Sequence, residues 1–325
     1  MKTILGVDIG GTKCMVCLGR ASESGEIEIL KKVRFETDSD NPQRSMERIA
    51  DELANMLEGY EGGKPVAIGV SVGGYIDSKN GIIVSTPVIP MLKNYPIGEM
   101  LSKRFDAKAF VQNDANACAL AEWIYGAGKG SENMVFLTCG TGLGGGLILG
   151  GKLHEGASSN AGEVGHIRLD RVGPVGCGKA GSFEGFCSGA GIAQFAKMRA
   201  LEALQGSKAF AFAQTLKSIE QITAKTLEDA ANAGDVDALQ IFNEVGENLG
   251  KGLAILVDIL NPDSIVIGSV FVRCENLLRE PMQKSLNSEA QSVSANACKV
   301  LPAKLGDDIG LYAAFATAIN GLNKK

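Results

Sequence analysis

Three short apolar runs near the N-terminus, residues 3–9, 14–19 and 26–35, have the length and composition of consecutive strands. A Gly-Gly-Thr turn, Gly10-Gly11-Thr12, separates the first from the second. Between residues 42 and 58 the period changes. Met46, Ile49, Ala50, Leu53 and Leu57 fall three or four apart, which places them on one helix face. Residues 66–72 are apolar almost throughout, as in a parallel strand buried on both faces. Residues 75–86 predict a hairpin turning at Ser78-Lys79-Asn80-Gly81. A helix over about 97–105 leads to a short strand, Ala109–Gln112. Asn113 and Asp114 then stand where a helix starts, and Ala115–Tyr125 continues it. Asn and Asp are preferred helix N-caps, so capping alone would account for both.

The pattern then restarts. Met134–Cys139 reads as a strand, Gly140–Gly146 as a Gly-rich turn and Leu147–Leu149 as the next strand, repeating the strand–turn–strand order of the N-terminus. Two similar units, each with a Gly/Thr-rich turn between two strands of an antiparallel pair, are therefore expected. Residues 184–260 are mostly helical, with Asp235–Leu260 one long helix. Asn261-Pro262-Asp263 ends it, Ser264–Gly268 is a strand, and a last helix over roughly 308–320 starts at Asp307-Asp308. With no Pro-rich or Ser-rich linker, the expected division is a small α/β domain over 1–115, joined by a C-terminal helix over 308–325, and a larger α/β domain over 116–307.

A length of 325 residues accommodates two such domains. The net charge of -5 and the absence of any Lys/Arg run longer than two argue against nucleic-acid binding through phosphates. No apolar run reaches about 18 residues, so no membrane span is expected. The N-terminus lacks the pattern of a signal peptide, and a cytoplasmic protein is expected. The eight cysteines are scattered, mostly within apolar stretches, and are expected to be reduced. Cys14 and Cys17 make a C-x-x-C on a predicted strand, which is the wrong context for a redox pair.

Two motifs match by letters and fail by context, and a third nearly matches. Gly140-x-Gly142-x-x-Gly145 satisfies a dinucleotide fingerprint but is followed by a strand where a helix is required. Gly146–Lys152 approaches a P-loop, yet Leu153 stands where the Mg²⁺-binding Ser or Thr belongs. Gly69–Gly73 matches a hydrolase nucleophile elbow centred on Ser71, with Asp114 and His166 following in order, but a hairpin rather than a helix comes next. The glycine turns read better as phosphate cradles, because glycine lets backbone N–H groups approach an oxyanion with no Cβ in the way. In Asp8-Ile9-Gly10-Gly11-Thr12-Lys13 the Thr12 hydroxyl can add a donor, and Asp8 can hold a hydrated Mg²⁺. In Thr138–Gly146 five glycines fall within seven residues. A purely structural turn rarely needs so many, at about 0.5–1 kcal/mol of chain entropy each.

Asp8–Lys13, Asn113-Asp114-Ala115-Asn116, Gly140–Gly146, Ala161-Gly162-Glu163-Val164-Gly165-His166, Asn261–Gly268 and Leu305-Gly306-Asp307-Asp308 occur in that order. Together they resemble the ROK family (repressors, open reading frames and kinases) from about residue 3 to 320. The resemblance implies an α/β, two-domain actin-like ATPase (ribonuclease H-like) fold with a cleft between domains. It implies an ATP- and Mg²⁺-dependent sugar kinase whose two phosphate loops face each other across that cleft and whose domains close around the sugar. Because the chain starts at the first core strand, a kinase is expected rather than a repressor with an added winged helix. The resemblance makes Asp114 the general base that accepts the proton of the sugar hydroxyl. It assigns Gly74, Asn113, Asp114, Glu163, His166 and Glu184 to the sugar. It assigns Asp8, Gly10, Gly11, Thr12, Lys13, Thr138, Gly140, Thr141, Gly142 and Gly268 to ATP, Ser269 replacing a second glycine usual after Gly268. Relatives are often dimers, so a homodimer is a further expectation.

Two segments depart from the family pattern. Where many relatives place three cysteines that bind a structural zinc with the His166 equivalent, this chain has Val175, Cys177 and Ser182. A structural zinc wants four N/S ligands, so no bound zinc is expected, and packing of Val175 and Phe183 is expected to hold the loop. In the sugar loop, Met91 and Leu92 replace the usual Gly-Trp. An aldohexose such as glucose, phosphorylated at its terminal (6-) hydroxyl, ranks first. N-acetylmannosamine, fructose and allose are alternatives. A non-catalytic sugar-sensing regulatory protein is the alternative of another class, and an intact Asp114 argues against it.

Overall fold

The structure is a computed structural model that describes residues 1–22 and 25–324. The chain divides into two compact units. The first contains Met1–Gly130, Gly146–Gly162 and Lys304–Lys325, and the second contains Ser131–Gly145 and Glu163–Ala303. The helix beginning at Asp114 stays whole within the first unit.

In the first unit the chain runs through β1 (Lys2–Ile9), β2 (Lys13–Ala21), β3 (Ile27–Glu36), α1 (Pro42–Leu57), β4 (Ala67–Val72), β5 (Tyr75–Asp77), β6 (Ile82–Ser85), β7 (Lys93–Tyr95), α2 (Ile97–Phe105), β8 (Lys108–Asn113) and α3 (Asp114–Tyr125). The main sheet has the order β3-β2-β1-β4-β8. Its first three strands are antiparallel neighbours, and β4 and β8 join in parallel. All six residues of β4 are buried, Ser71 among them, as its nearly unbroken apolar run requires. Helix α1 starts at Pro42, a favoured first position, with the Asn41 side chain accepting the Arg44 N–H. Its stripe of Met46, Ile49, Ala50, Leu53 and Met56 is buried in the core with Leu5, Val7 and Val70.

The second unit opens with β9 (Met134–Cys139) and β10 (Leu143–Leu149). Strand β10 crosses at Gly146 into the first unit, where it pairs with β11 (Lys152–Leu153). After β12 (Val175–Gly176) and β13 (Lys179–Ala180) come α4 (Phe183–Cys187), α5 (Gly189–Gln205), α6 (Leu216–Glu220), α7 (Ala224–Asn232) and α8 (Val236–Leu260). Then follow β14 (Ser264–Ser269), α9 (Val270–Arg273), α10 (Glu275–Glu289), α11 (Ser292–Ala297) and β15 (Lys299–Pro302). Strand β14 lies parallel to both β9 and β15. The sheet order β11-β10-β9-β14-β15 repeats the order of the first sheet strand for strand. Long helix α8 is capped by Asp235, whose carboxylate accepts the N–H groups of Asp237 and Ala238, and it ends on Asn261 in the left-handed region.

The chain returns to the first unit through α12 (Ile309–Asn323), which packs against β1, β4 and α3. Lys325, the end of the expected C-terminal helix, lies outside the described residues. Glu122, fully buried near the end of α3, fastens this return: its carboxylate accepts N–H groups from Lys304, Leu305 and Ala127.

Two expectations shift. The Gly-rich turn is shorter than Gly140–Gly146, because β10 already begins at Leu143. A Cβ on Gly146 would lie 2.5 Å from Ala119 Cβ and 2.8 Å from the Ala115 carbonyl, so glycine there serves close packing on α3. Helices α9 to α11 and strand β15, unread in the sequence, complete the second unit. Among the described residues no helix is long and apolar enough to cross a membrane.

Candidate functional site

In the first unit three strand ends bring the carboxylates together. Asp8 is the penultimate residue of β1, Ser71 that of β4, and Asp114 directly follows β8 as the first residue of α3. Asp8 and Ser71 are register partners across the parallel pair. Burial raises the Asp8 carboxyl from its ordinary 3.8 to about 6. A hydrogen bond from Ser71 opposes the rise, the Asp114 charge adds to it and Arg34 opposes it. Gly310, at the start of α12, makes room: a Cβ there would meet Asp8 Oδ2 at 2.4 Å. Asp114 is also pushed up by burial, against the Ala115 N–H that its Oδ1 accepts at 2.9 Å. A carboxylate so raised is a better proton acceptor at neutral pH than a solvated one.

Asn113 caps α3, its Oδ1 accepting the N–H groups of Ala115 and Asn116. Its Nδ2 donates to the Gly74 carbonyl at 3.1 Å, so Gly74 holds Asn113 in place. In the first glycine turn the Gly10 N–H closes on the Lys13 carbonyl, and the Gly10 carbonyl accepts the Thr37 hydroxyl at 2.7 Å. Gly11, Thr12 and Lys13 are exposed. Ser71, the centre of the hydrolase alternative, is 1% exposed and sits on a strand that leads into β5, not a helix.

In the second unit the glycine turn between β9 and β10 is anchored on one side and open on the other. The Gly140 carbonyl accepts the Gly189 N–H at 2.7 Å, while Thr141 and Gly142 are exposed. Thr138 on β9 pairs in register with Gly268 on β14. The hydroxyls of Ser269 and Thr138 lie 3.7 and 3.8 Å from where a Gly140 Cβ would be. Ser269 has φ 56 and ψ -113, a backbone region that favours glycine.

Glu163 precedes a short 3-10 turn and His166 ends it, with His166 Nε2 3.8 Å from Glu163 Oε2 and both side chains about half exposed. Glu184 behaves differently from a free sugar acceptor. Its Oε2 accepts the Leu143 N–H at 3.0 Å and its Oε1 accepts the Cys177 N–H at 2.8 Å and the Cys177 thiol at 3.2 Å. It thus ties the glycine turn to the cysteine-poor loop.

That loop is held by hydrogen bonds more than by the packing expected of Val175, which is 51% exposed. Fully buried Ser182, at the position of a missing cysteine, donates to the Gly176 carbonyl at 2.9 Å and accepts the Gly185 N–H at 3.1 Å. Lys179 donates to the His166 carbonyl, and Phe183 is fully buried. Among the described residues no group of three or more His, Cys, Asp or Glu side chains could hold a metal. Cys14 and Cys17 are free, buried thiols, with burial pushing both up.

Sequence reasoning singled out neither Gln112 nor Glu155. Gln112 is 3% exposed beside Asn113, and a polar residue ending an otherwise half-buried strand was the one available signal.

A glucokinase of Thermotoga maritima is 34% identical over 316 residues, 96% of this chain and 95% of that protein. The transcriptional dual regulator NagC of Escherichia coli is 29% identical over 305 residues, 91% of this chain and 73% of that protein. The crystal structure of a ROK family glucokinase from Streptomyces griseus with glucose and AMPPNP superposes with a TM-score of 0.72 at 31% identity, covering 98% of this chain and all of that one. That structural likeness gives this chain the fold of a ROK sugar kinase, the actin-like ATPase fold. The family model described as the ROK family matches residues 4–320, so the chain, a sugar kinase, belongs to the ROK family.

Proposed function

We propose that the protein transfers the terminal phosphoryl group of ATP to the terminal hydroxyl of a hexose, glucose first, with Asp114 as general base. The observation that carries this reading is Asp114 at the first turn of α3, buried, raised in pKa and oriented by the Ala115 N–H. Phosphoryl transfer asks the protein mainly for positioning and for charge stabilisation. Asp114 takes the proton of the attacking hydroxyl. Asn113, already fixed by Gly74, presents its amide to a neighbouring sugar hydroxyl. Glu163 and His166 supply further acceptors and donors to the polyol, and Glu184 positions the turn at Leu143. Thr12, with Gly10, Gly11 and Lys13, and Thr138 and Thr141, with Gly140, Gly142 and Gly268, form the two nucleotide segments.

Asp8 would hold Mg²⁺, through water. The donor set fits, because a buried carboxylate hydrogen-bonded to a hydroxyl and next to a second carboxylate offers the hard oxygen ligands and negative charge that a hydrated Mg²⁺ selects. When bound, the ion would neutralise charge on the phosphates.

Glucose leads because the relative from Thermotoga maritima is a glucokinase and the Streptomyces griseus structure holds glucose. N-acetylmannosamine, fructose and allose follow, with Met91, 68% exposed, and buried Leu92 in the segment where relatives carry Gly-Trp. The similarity to NagC supports a second reading, a sugar-sensing regulator without turnover. ADP release measured over a panel of hexoses separates the two. Sugar-dependent release that Asp114→Asn lowers by at least about a thousandfold, with sugar binding kept, supports the kinase. Binding without turnover in the unaltered protein supports the regulator.

A further inference from the structure

A chain of side-chain hydrogen bonds runs through the first unit from the C-terminal end to the residue before the proposed base. Glu155, in the loop after β11, has a side chain only 18% exposed. Its Oε1 accepts the Ser78 hydroxyl at 2.5 Å and the Gln112 Nε2 at 2.9 Å, and its Oε2 pairs with the Lys324 ammonium. Ser78 in turn contacts the Ser159 hydroxyl. Burial pushes the Glu155 carboxyl up, and the bonds from Lys324, Ser78 and Gln112 outweigh it, holding the group below its ordinary range. It is therefore an acceptor only.

That fixes the orientation of Gln112. A carboxylate at Glu155 obliges the Gln112 amide to present its NH₂, so the Gln112 Oε1 must face the other way. There it accepts the Asn113 backbone N–H at 2.8 Å and the Asn116 Nδ2 at 3.3 Å. Asn116 Oδ1 is left buried with no partner among the described residues. With Gln112 and Asn116 both flipped, the Gln112 NH₂ would donate to the Asn116 Oδ1, but the Asn113 N–H would then face a donor. The arrangement present leaves one oxygen orphaned in order to fix Asn113. The orientation is thus imposed from the Glu155 side.

We propose that Glu155 is a positioning residue for the phosphoryl-transfer site: through Gln112 it sets the amide of Asn113, and with it the first turn of α3 that carries Asp114. Lys324 holds Glu155 and so makes the C-terminal end part of the same device. This inference rests on the assignment of Asp114 as base.

The test uses Glu155→Gln, the swap Gln112→Glu/Glu155→Gln, and Lys324→Met. In Glu155→Gln one donor must face another, either at Gln112 or at Lys324. In the swap, the carboxylate now at position 112 accepts the Asn113 N–H and the NH₂ of the amide now at position 155. The second N–H of that amide donates to the Ser78 hydroxyl and its carbonyl accepts Lys324, so a donor faces an acceptor at each contact. Two readouts are taken: kcat with glucose and ATP, and hydrogen exchange of the Asn113–Ala117 amides without ligands. Glu155→Gln is expected to lower kcat about tenfold with KM for ATP within twofold, and to speed that exchange about tenfold. The swap is expected to return both to within about twofold of the unaltered protein. Lys324→Met, which removes the ammonium of a half-exposed side chain, is expected to move both about threefold in the same direction. Unchanged exchange in Glu155→Gln, or failure of the swap to restore it, overturns the proposal. If Glu155→Gln does not fold, unchanged exchange in Lys324→Met overturns it. If exchange responds while kcat does not, the positioning role is overturned; if Asp114→Asn stays active, the network holds and the assignment of the base falls.

Discussion

Replacing Asp8 by Asn should make the protein more stable and inactive at once. Burial lifts the Asp8 carboxyl from 3.8 to about 6 in the folded protein. A carboxyl whose pKa is raised by folding binds its proton more tightly in the folded state, so its contribution is fully present below about pH 4 and is lost as pH rises through about 6. At about 1.4 kcal/mol per pH unit, the rise corresponds to about 3 kcal/mol of stability absent at pH 7 and above. Asn has nearly the same shape, can still accept the Ser71 hydroxyl and does not ionise. The stability of Asp8→Asn minus that of the unaltered protein should therefore be near zero at pH 4 and grow to as much as about 3 kcal/mol by pH 7. Urea unfolding at a series of pH values without nucleotide measures it, the carboxylates remote from Asp8 cancelling between the two proteins. Added Mg²⁺ should stabilise the unaltered protein alone, and kinase turnover should be lost in the variant. A gap that stays flat from pH 4 to 7, or an Asn variant that is the less stable at pH 7, would refute the reasoning.

Ser182→Ala leaves the Gly176 carbonyl and the Gly185 N–H unmatched inside the second unit and should cost about 1–3 kcal/mol in unfolding experiments. Prolonged chelation followed by Mg²⁺ should leave the unfolding midpoint and activity of the unaltered protein unchanged, with metal analysis finding no stoichiometric zinc. Ser269→Gly should raise stability by about 1 kcal/mol, because relief of the strained φ 56, ψ -113 backbone exceeds the added chain entropy of glycine. An unchanged or lower denaturation midpoint would count against that strain.

Where hydrophobic period and caps agreed, the sequence was legible. The stripe of Met46, Ile49, Ala50 and Leu53 located α1, and the Asn-Asp pair located the start of α3. The glycines hid the start of β10, since they carry no polarity signal, and Gly146 among them owes its presence to packing on α3. Helix α10 escaped because Pro281 lies inside it. Among site residues, motif order pointed to Asp8, Asn113 and Asp114 together, and all three lie at the C-terminal ends of β1 and β8, on either side of β4, or at the start of the helix that follows. The tie of Glu184 to Leu143 and Cys177, and the dependence of Gln112 on Glu155, are contacts across 41, 7 and 43 positions that no local pattern encodes.

The return of α12 to the first unit has a consequence for synthesis on the ribosome. Leu311, Phe315 and Ala318 complete a core whose other members, Ile4, Cys17 and Ala67, emerge at the very beginning. At about 5–20 residues per second, the first strands wait roughly 15–60 s for the helix that covers them. The second unit, apart from the turn before β10, is continuous from Glu163 to Ala303 and is fully made before α12 appears. The nascent chain therefore finishes its later half first and exposes the apolar back of β1 and β4 throughout. That interval is when it most needs a chaperone, and an mRNA stall shortly before codon 309 would strand it there.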